Sequence, residues 1–246
     1  MLLSNVLITS SPEDPSLSPI LQENIVSLKN SHPGLQYKLF DRDDAIALIE
    51  ASFTREVLDA FHAMRAFAYQ ADLARYCILY EFGGLYADLA YFFVSDVPLA
   101  VDQPVVFRGN LVSSPWDTSN GIIYAPPKHK ALARGIELIC ANVKRRYYGL
   151  TPLCPTGPAL FGKALAQTCE AEELITGGAQ LIARDGVTRL APDVAVPDDK
   201  FIHCQFLRGT LIAVKRKPML SAGLSGLGIA TGNNYRDLWN DREIYS

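Results

Sequence analysis

The residues best able to do chemistry in this 246-residue chain fall within one run, Ala71-Asp-Leu-Ala-Arg-Tyr-Cys-Ile-Leu-Tyr-Glu-Phe-Gly-Gly-Leu-Tyr-Ala-Asp-Leu-Ala. On a helical wheel Leu73, Ala74, Cys77, Ile78 and Tyr80 cover one face. Asp72, Arg75 and Tyr76 fall on the other, at spacings of three and four that set them side by side. A solvated face with one ordinary ion pair explains that helix as well as a binding site does. The continuation tips the balance. The helix must stop at Gly83-Gly84, where a glycine can take the left-handed terminating conformation, and it feeds a strand on which Tyr86, Asp88 and Ala90 share a face. A carboxylate in an otherwise apolar strand is costly unless a metal, a base or solvent compensates it. The paired glycines leave room for a ligand or another backbone to come close.

The flanking sequence supplies a scaffold for these groups. Val6 to Thr9 suits a buried first strand before Ser10, Ser11 and Pro12, and Leu17 to Asn30 predicts a helix closed by His32-Pro33-Gly34. Leu35 to Phe40 alternates as a strand, and Asp43 or Asp44 can cap the helix after it. Strand, helix, strand, helix predicts a parallel α/β sheet, in which ligands bind beyond the carboxyl ends of the strands. Thr54 to Glu81, without Gly or Pro, predicts a helix-rich stretch, and Leu85 to Val94 a strand. Then come Val105-Val-Phe-Arg, a helix near His129 to Tyr148 and a turn-rich Thr151 to Pro158. Short strands around Ala179 to Ala183 and Leu211 to Val214 precede a loop-like, Gly- and Asn-rich tail from Ser221 to Ser246.

Bulk properties narrow the function classes. With 49% apolar residues the chain can bury a sizeable core as one domain over residues 1–246. A net charge of −3 and no polybasic tail argue against nucleic-acid binding. Five scattered cysteines without a C-x-x-C pair suit a reducing cytoplasm rather than a disulfide framework or a zinc site. The start lacks the basic residues of a secretory signal, and no uncharged apolar run reaches 18 residues. The expected location is therefore cytoplasmic, with peripheral contact at the inner face of a membrane at most. No Gly-x-Gly-x-x-Gly opens a helix after the first strand, and no Gly-x-Ser-x-Gly elbow occurs.

The run from Asp72 resembles the sugar-binding region of DXD-containing glycosyltransferases, particularly glycosyltransferase family 32 and its bacterial capsule-type and toxin-type members. Their pattern is an Asp-x-x-Arg-Tyr helix followed by Leu-Tyr-x-x-Gly-Gly-x-Tyr-x-Asp-x-Asp. This chain has Asp72-Leu-Ala-Arg75-Tyr76, then Leu79-Tyr80-Glu-Phe-Gly83-Gly84-Leu-Tyr86-Ala-Asp88. Asn120-Gly-Ile-Ile-Tyr resembles the family's Asn-bearing strand that returns to the donor site. Thr156-Gly157-Pro158 resembles its Thr-Gly-Pro turn, and Gly232 to Trp239 its closing loop. The resemblance implies a single GT-A domain with a Rossmann-like, mostly parallel sheet flanked by helices. It implies a retaining hexosyltransferase moving a hexose or N-acetylhexosamine from a nucleoside diphosphate sugar to a glycan or lipid-linked acceptor, in bacterial surface polysaccharide synthesis. A pseudoenzyme that binds nucleotide sugars and a toxin-like effector that glycosylates a protein are the alternatives.

It also implies roles. Asp72 and Arg75 would hold donor-sugar hydroxyls, with Tyr76, Gly84 and Tyr86 at the donor pocket. Ile8 and Thr9 would lie near the base, Asn120 and Trp239 would help close the site, and residues 221–246 would order over bound donor. Asp88 would face a Mn²⁺ or Mg²⁺ ion that neutralises the leaving diphosphate. The second aspartate of the motif is missing, because position 90 is Ala. Three explanations compete. In the first, phosphates, water and Asn233 or Asn234 complete the cation's shell; in the second, Lys215, Arg216 or Lys217 replaces it; in the third, the copy is dead. Elsewhere a structural role is the default for His203, and a solvated helix end for Lys144-Arg-Arg-Tyr-Tyr148. Trp239 can stack on a sugar or base, or anchor the tail to the core.

Overall fold

Strand period decides which residues of this chain face which layer. The computed structural model describes residues 1–9, 17–99, 102–109, 118–183, 201–216 and 233–246. Strands β1 (Leu2–Val6), β2 (Gln36–Phe40), β3 (Gly84–Ala87), β5 (Val105–Arg108) and β6 (Thr118–Ala125) form one part of the sheet. Strands β4 (Tyr91–Phe93), β7 (Ile175–Ala183), β8 (Phe201–Leu207) and β9 (Thr210–Lys215) form the other. Among the described residues the order is β2-β1-β3-β6-β5-β7-β8-β9-β4. Pairing is parallel for β2-β1-β3 and β5-β7 and antiparallel elsewhere, so the sheet is mixed.

Alternation sends Tyr86, Val106 and Ile123 to one core. Leu85, Ala87, Val105, Phe107, Ile122 and Tyr124 go to the other. The first core is covered by helices α2 (Arg42–Ser52), α3 (Arg55–Ala63), α4 (Phe67–Phe82), α5 (Lys130–Lys144) and α6 (Pro158–Thr168). On the second face, α1 (Pro19–Ser31) contributes Leu28. The architecture is thus α/β, with helices flanking a large curled sheet. A short α7 (Tyr235–Asn240) lies near the end of the chain.

Several boundaries differ from the sequence expectation. The first strand ends at Val6 rather than beginning there. Asp41, not Asp43 or Asp44, is the N-cap of α2, with Asp44 completing a reciprocal capping box. The helical stretch from Thr54 breaks between α3 and α4 without Gly or Pro, because tertiary partners stabilise the break. The Arg65 amide donates to Ile244 O at 2.9 Å, and Gln70 Nε2 donates to Met64 O at 2.9 Å. The strand expected over Leu85 to Val94 divides into β3 and β4 around a turn, in which the Tyr91 amide donates to Asp88 O. The tail contains α7, and residues 221–232 lie outside the described residues, as do Ser10, Ser11 and Lys217.

Candidate functional site

Helix α4 sits between the sheet and α2, α3 and α5, so it is buried on nearly every side. Its polar residues are therefore not a solvated face. Asp72 and Arg75 are 7% and 6% exposed. The helix ends because Gly83 adopts φ +61° and its amide caps Leu79 O. Gly84 follows at φ +104°, where a Cβ would lie 2.1 Å from Leu2 O. This glycine is required by the close approach of β1, not by a ligand.

Past β3 the backbone bearing Asp88 is clamped from three directions. Asn5 Nδ2 donates to Ala87 O at 2.5 Å, the Asp88 amide donates to Gly121 O at 2.7 Å, and Asn24 Nδ2 donates to Leu89 O at 2.8 Å. Neither Asn5 nor Asn24 stood out in the sequence. Their signal was an amide side chain in a segment that must be buried, and both are 2% exposed.

The charged groups form one network. Arg75 Nη1 donates to Asp88 Oδ1 at 3.0 Å and to Asn120 O at 2.6 Å, its Nη2 reaches Asp72 Oδ1 at 3.1 Å, and its Nε donates to Ala71 O at 3.3 Å. A guanidinium has five N–H donors, so one on Nη2 is left for a ligand. The guanidinium also lies over the Tyr86 ring, 4.6 Å from its centroid. Asp72 accepts further bonds from Asn120 Nδ2 at 2.8 Å and Thr156 Oγ1 at 2.7 Å. Burial pushes the Asp72 carboxyl above its ordinary range, against the opposing pull of Arg75 and Thr156. Tyr86 Oη donates to Asp88 Oδ1 at 2.8 Å, and Lys215 Nζ lies 3.7 Å from Asp88 Oδ2. Burial alone would lower the Lys215 ammonium; its neighbours Tyr91 and Asp88 carry the net shift upward.

These groups open into a cavity of about 270 Å³. Asp72, Arg75, Tyr86, Asp88, Asn120, Ile8, Asn233 and Asn234 line it, together with Ala90, Tyr69, Gly157, Lys215 and Tyr235. Asn120 is a strand residue, within β6, at the cavity. Thr9, Tyr76, Gly84 and Trp239 are not among the lining residues. Tyr76 is fully buried, stacked on Phe161 with its hydroxyl donating to Thr156 O at 3.2 Å. Trp239 Nε1 donates to Tyr148 O at 2.8 Å and packs on the core, which matches the anchoring alternative. Sequence reasoning did not foresee the Thr156–Asp72 bond.

A divalent cation does not fit the residues present. Asp88 is already engaged by Arg75 and Tyr86, with Lys215 on its other oxygen. Asn234 uses its Oδ1 to cap α7. Asn233 accepts from the Phe67 amide and donates to Arg65 O. Among the described residues no group of three or more His, Cys, Asp or Glu converges. Arg216 is also committed elsewhere, pairing with Glu23 at 2.9 Å.

The basic cluster at the end of α5 is occupied by the chain itself. Arg146 Nη1 donates to Ser246 O at 2.9 Å, and its Nη2 donates to Tyr245 O at 3.2 Å. His203 lies within β8, opposite Lys215 in register. Among the described residues no helix is long and apolar enough to cross a membrane.

Residues 19–104 match the family model described as the glycosyltransferase sugar-binding region containing DXD motif. That span includes Asp72, Arg75 and Asp88; Asn120, Thr156 and Lys215 lie beyond it. No curated protein matches the chain. Matching solved structures include the PaToxG glycosyltransferase, 14% identical with a TM-score of 0.43, over 68% of this chain and 67% of that one. Another is a transferase mutant, 15% identical with a TM-score of 0.40, over 68% of this chain and 83% of that one.

Proposed function

We propose that the chain is a glycosyltransferase that takes a hexose or N-acetylhexosamine from a nucleoside diphosphate sugar and passes it, with retention, to a hydroxyl of a glycan or lipid-linked acceptor. The observation that carries the reading is the convergence of Asp72, Arg75, Asp88 and Asn120 in one cavity. The family-model match over the segment bearing the first three supports it. The remaining Arg75 N–H and the unused lone pair on Asp72 Oδ2 suit a polyol, because a sugar hydroxyl both donates and accepts. In the transfer the acceptor oxygen bonds to the anomeric carbon as the bond from that carbon to the phosphate oxygen breaks. The electron pair leaves with the diphosphate, and the hydroxyl proton passes to a diphosphate oxygen. Positive groups at the phosphates stabilise the charge that accumulates there. Surface polysaccharide synthesis at the inner face of a membrane is the setting we assign to this activity.

A thermal-shift panel of uridine and guanosine diphosphate sugars, followed by an assay of nucleoside diphosphate release, tests the reading. Stabilisation by one donor, with release that falls in Asp72→Asn, is expected. A flat panel and no release with any donor would reject it. Binding of a donor without release, for any acceptor, would favour the pseudoenzyme reading that Ala90 raises.

A further inference from the structure

At positions 90 and 215 this chain carries Ala and Lys, which together set the charge balance around Asp88. An Asp-x-Asp pair with a dication sums to zero. Asp88 with Ala90 and the Lys215 ammonium also sums to zero, with one carboxylate and one monovalent cation in place of two carboxylates and a metal ion. Before a diphosphate arrives, a dication added to the second arrangement would leave surplus positive charge beside both Arg75 and Lys215, which lie on opposite oxygens of the same carboxylate. Position 90 offers that ion nothing: Ala90 is 2% exposed and packs in a cluster with Leu7, Leu21 and Leu89.

Lys215 is well placed for the exchange. It is the last residue of β9, held in register against Tyr91 at the start of β4, and its side chain reaches the cavity past the Tyr91 ring. Its contact with Asp88 at 3.7 Å is longer than a hydrogen bond, so the ammonium keeps donors for a second partner. The adjacent Arg216 cannot take this role while it is paired with Glu23.

We infer that Lys215 holds the donor's diphosphate in place of a divalent cation, with Asp88 serving to orient Lys215 and Arg75 rather than to ligate metal. This rests on the glycosyltransferase reading. An ammonium is a compact cation with three rotatable donors, able to follow phosphate oxygens as the leaving group departs.

The test is calorimetric titration of the full chain with UDP and GDP, and with UMP and GMP, in EDTA and then in Mn²⁺. The wild type is expected to bind one nucleoside diphosphate in EDTA, with Mn²⁺ changing the dissociation constant less than about threefold. Lys215→Met should weaken the diphosphate about tenfold or more while moving the matching monophosphate much less, and Lys215→Arg should recover most of the loss. Binding that requires Mn²⁺ would overturn the inference and leave the glycosyltransferase reading standing. Unchanged diphosphate affinity in a folded Lys215→Met would also overturn it. Absence of binding in both buffers would remove the parent reading as well. Should Lys215→Met not fold, the EDTA titration of wild type and Lys215→Arg decides the question.

Discussion

Asp88 is approached by two cations from two differently built regions, and the contrast between them organises the site. Arg75 comes from α4, thirteen residues away in the chain, and its side chain is 8% exposed. It is fixed by two carboxylates, two carbonyls and an aromatic ring. Lys215 comes from the antiparallel ribbon β7-β8-β9-β4, its side chain is 21% exposed, and it makes one long ionic contact there. One end of the cavity is set before any ligand arrives, which lowers the ordering cost of binding. The other end rests on one long contact, which in the proposed transfer would let Lys215 follow the leaving group.

The largest expected effect lies on the rigid side. Arg75→Met strands two carboxylates, one of them buried, and should cost about 3–5 kcal/mol of stability in chemical denaturation. Lys215→Met should cost less than about 1 kcal/mol, since its ion pair is partly exposed and loose. Equal costs would break the comparison. Thr156→Val removes the 2.7 Å bond to Asp72 Oδ2 and should cost about 1–3 kcal/mol, with weaker donor binding, as measured by denaturation and calorimetry. Trp239→Phe loses the bond to Tyr148 O and should cost about 0.5–1.5 kcal/mol while leaving donor affinity unchanged; a drop in affinity would restore the stacking role.

The smallest effect is expected from pH, on the side of β4. His32 accepts from the Val97 amide at 2.9 Å through Nε2, and Nδ1 faces Leu28 O at 3.1 Å, an arrangement that needs a neutral ring. Burial lowers its pKa below the usual 6.5. A base depressed in the folded state contributes stability that is full above 6.5 and is lost as pH falls through its lower folded value. Melting temperature should therefore drop between neutral pH and mild acid, and His32→Gln should flatten that slope. An unchanged slope in the variant would show that other groups carry the acid sensitivity.

The part of the site that residue spacing alone makes legible is the part whose residues are chain neighbours, whereas Ile8 and Asn120 were reached through the family resemblance. Asp72 and Arg75 sit one helical turn apart, and Gly83-Gly84 announces the stop that delivers Asp88. The periodicities of α1, β2 and α5 were equally local. The break at Met64 to Ala66 was not legible because its partners, Ile244 and Tyr245, come from the far end of the chain. The turn at Asp88 was hidden because Tyr86 and Tyr91 to Val94 are strand-forming types and no Gly or Pro separates them. Tyr76 and Gly84 matched the family pattern, yet neither lines the cavity: Tyr76 stacks on Phe161 and its hydroxyl accepts from Asn120 Nδ2 at 3.2 Å, and Gly84 lies against Leu2. Lys215 was one of three basic neighbours in sequence. Only the register of β9 against β4 brings it to Asp88 and sends Arg216 toward Glu23.

A crystal structure of the chain with a non-hydrolysable nucleoside diphosphate sugar decides whether α4 and β9 hold the donor between them. The expected result is sugar hydroxyls on the uncommitted Arg75 N–H and on Asp72, with the diphosphate against the Lys215 ammonium. A nucleotide bound on another surface, or a sugar turned away from α4, would contradict it.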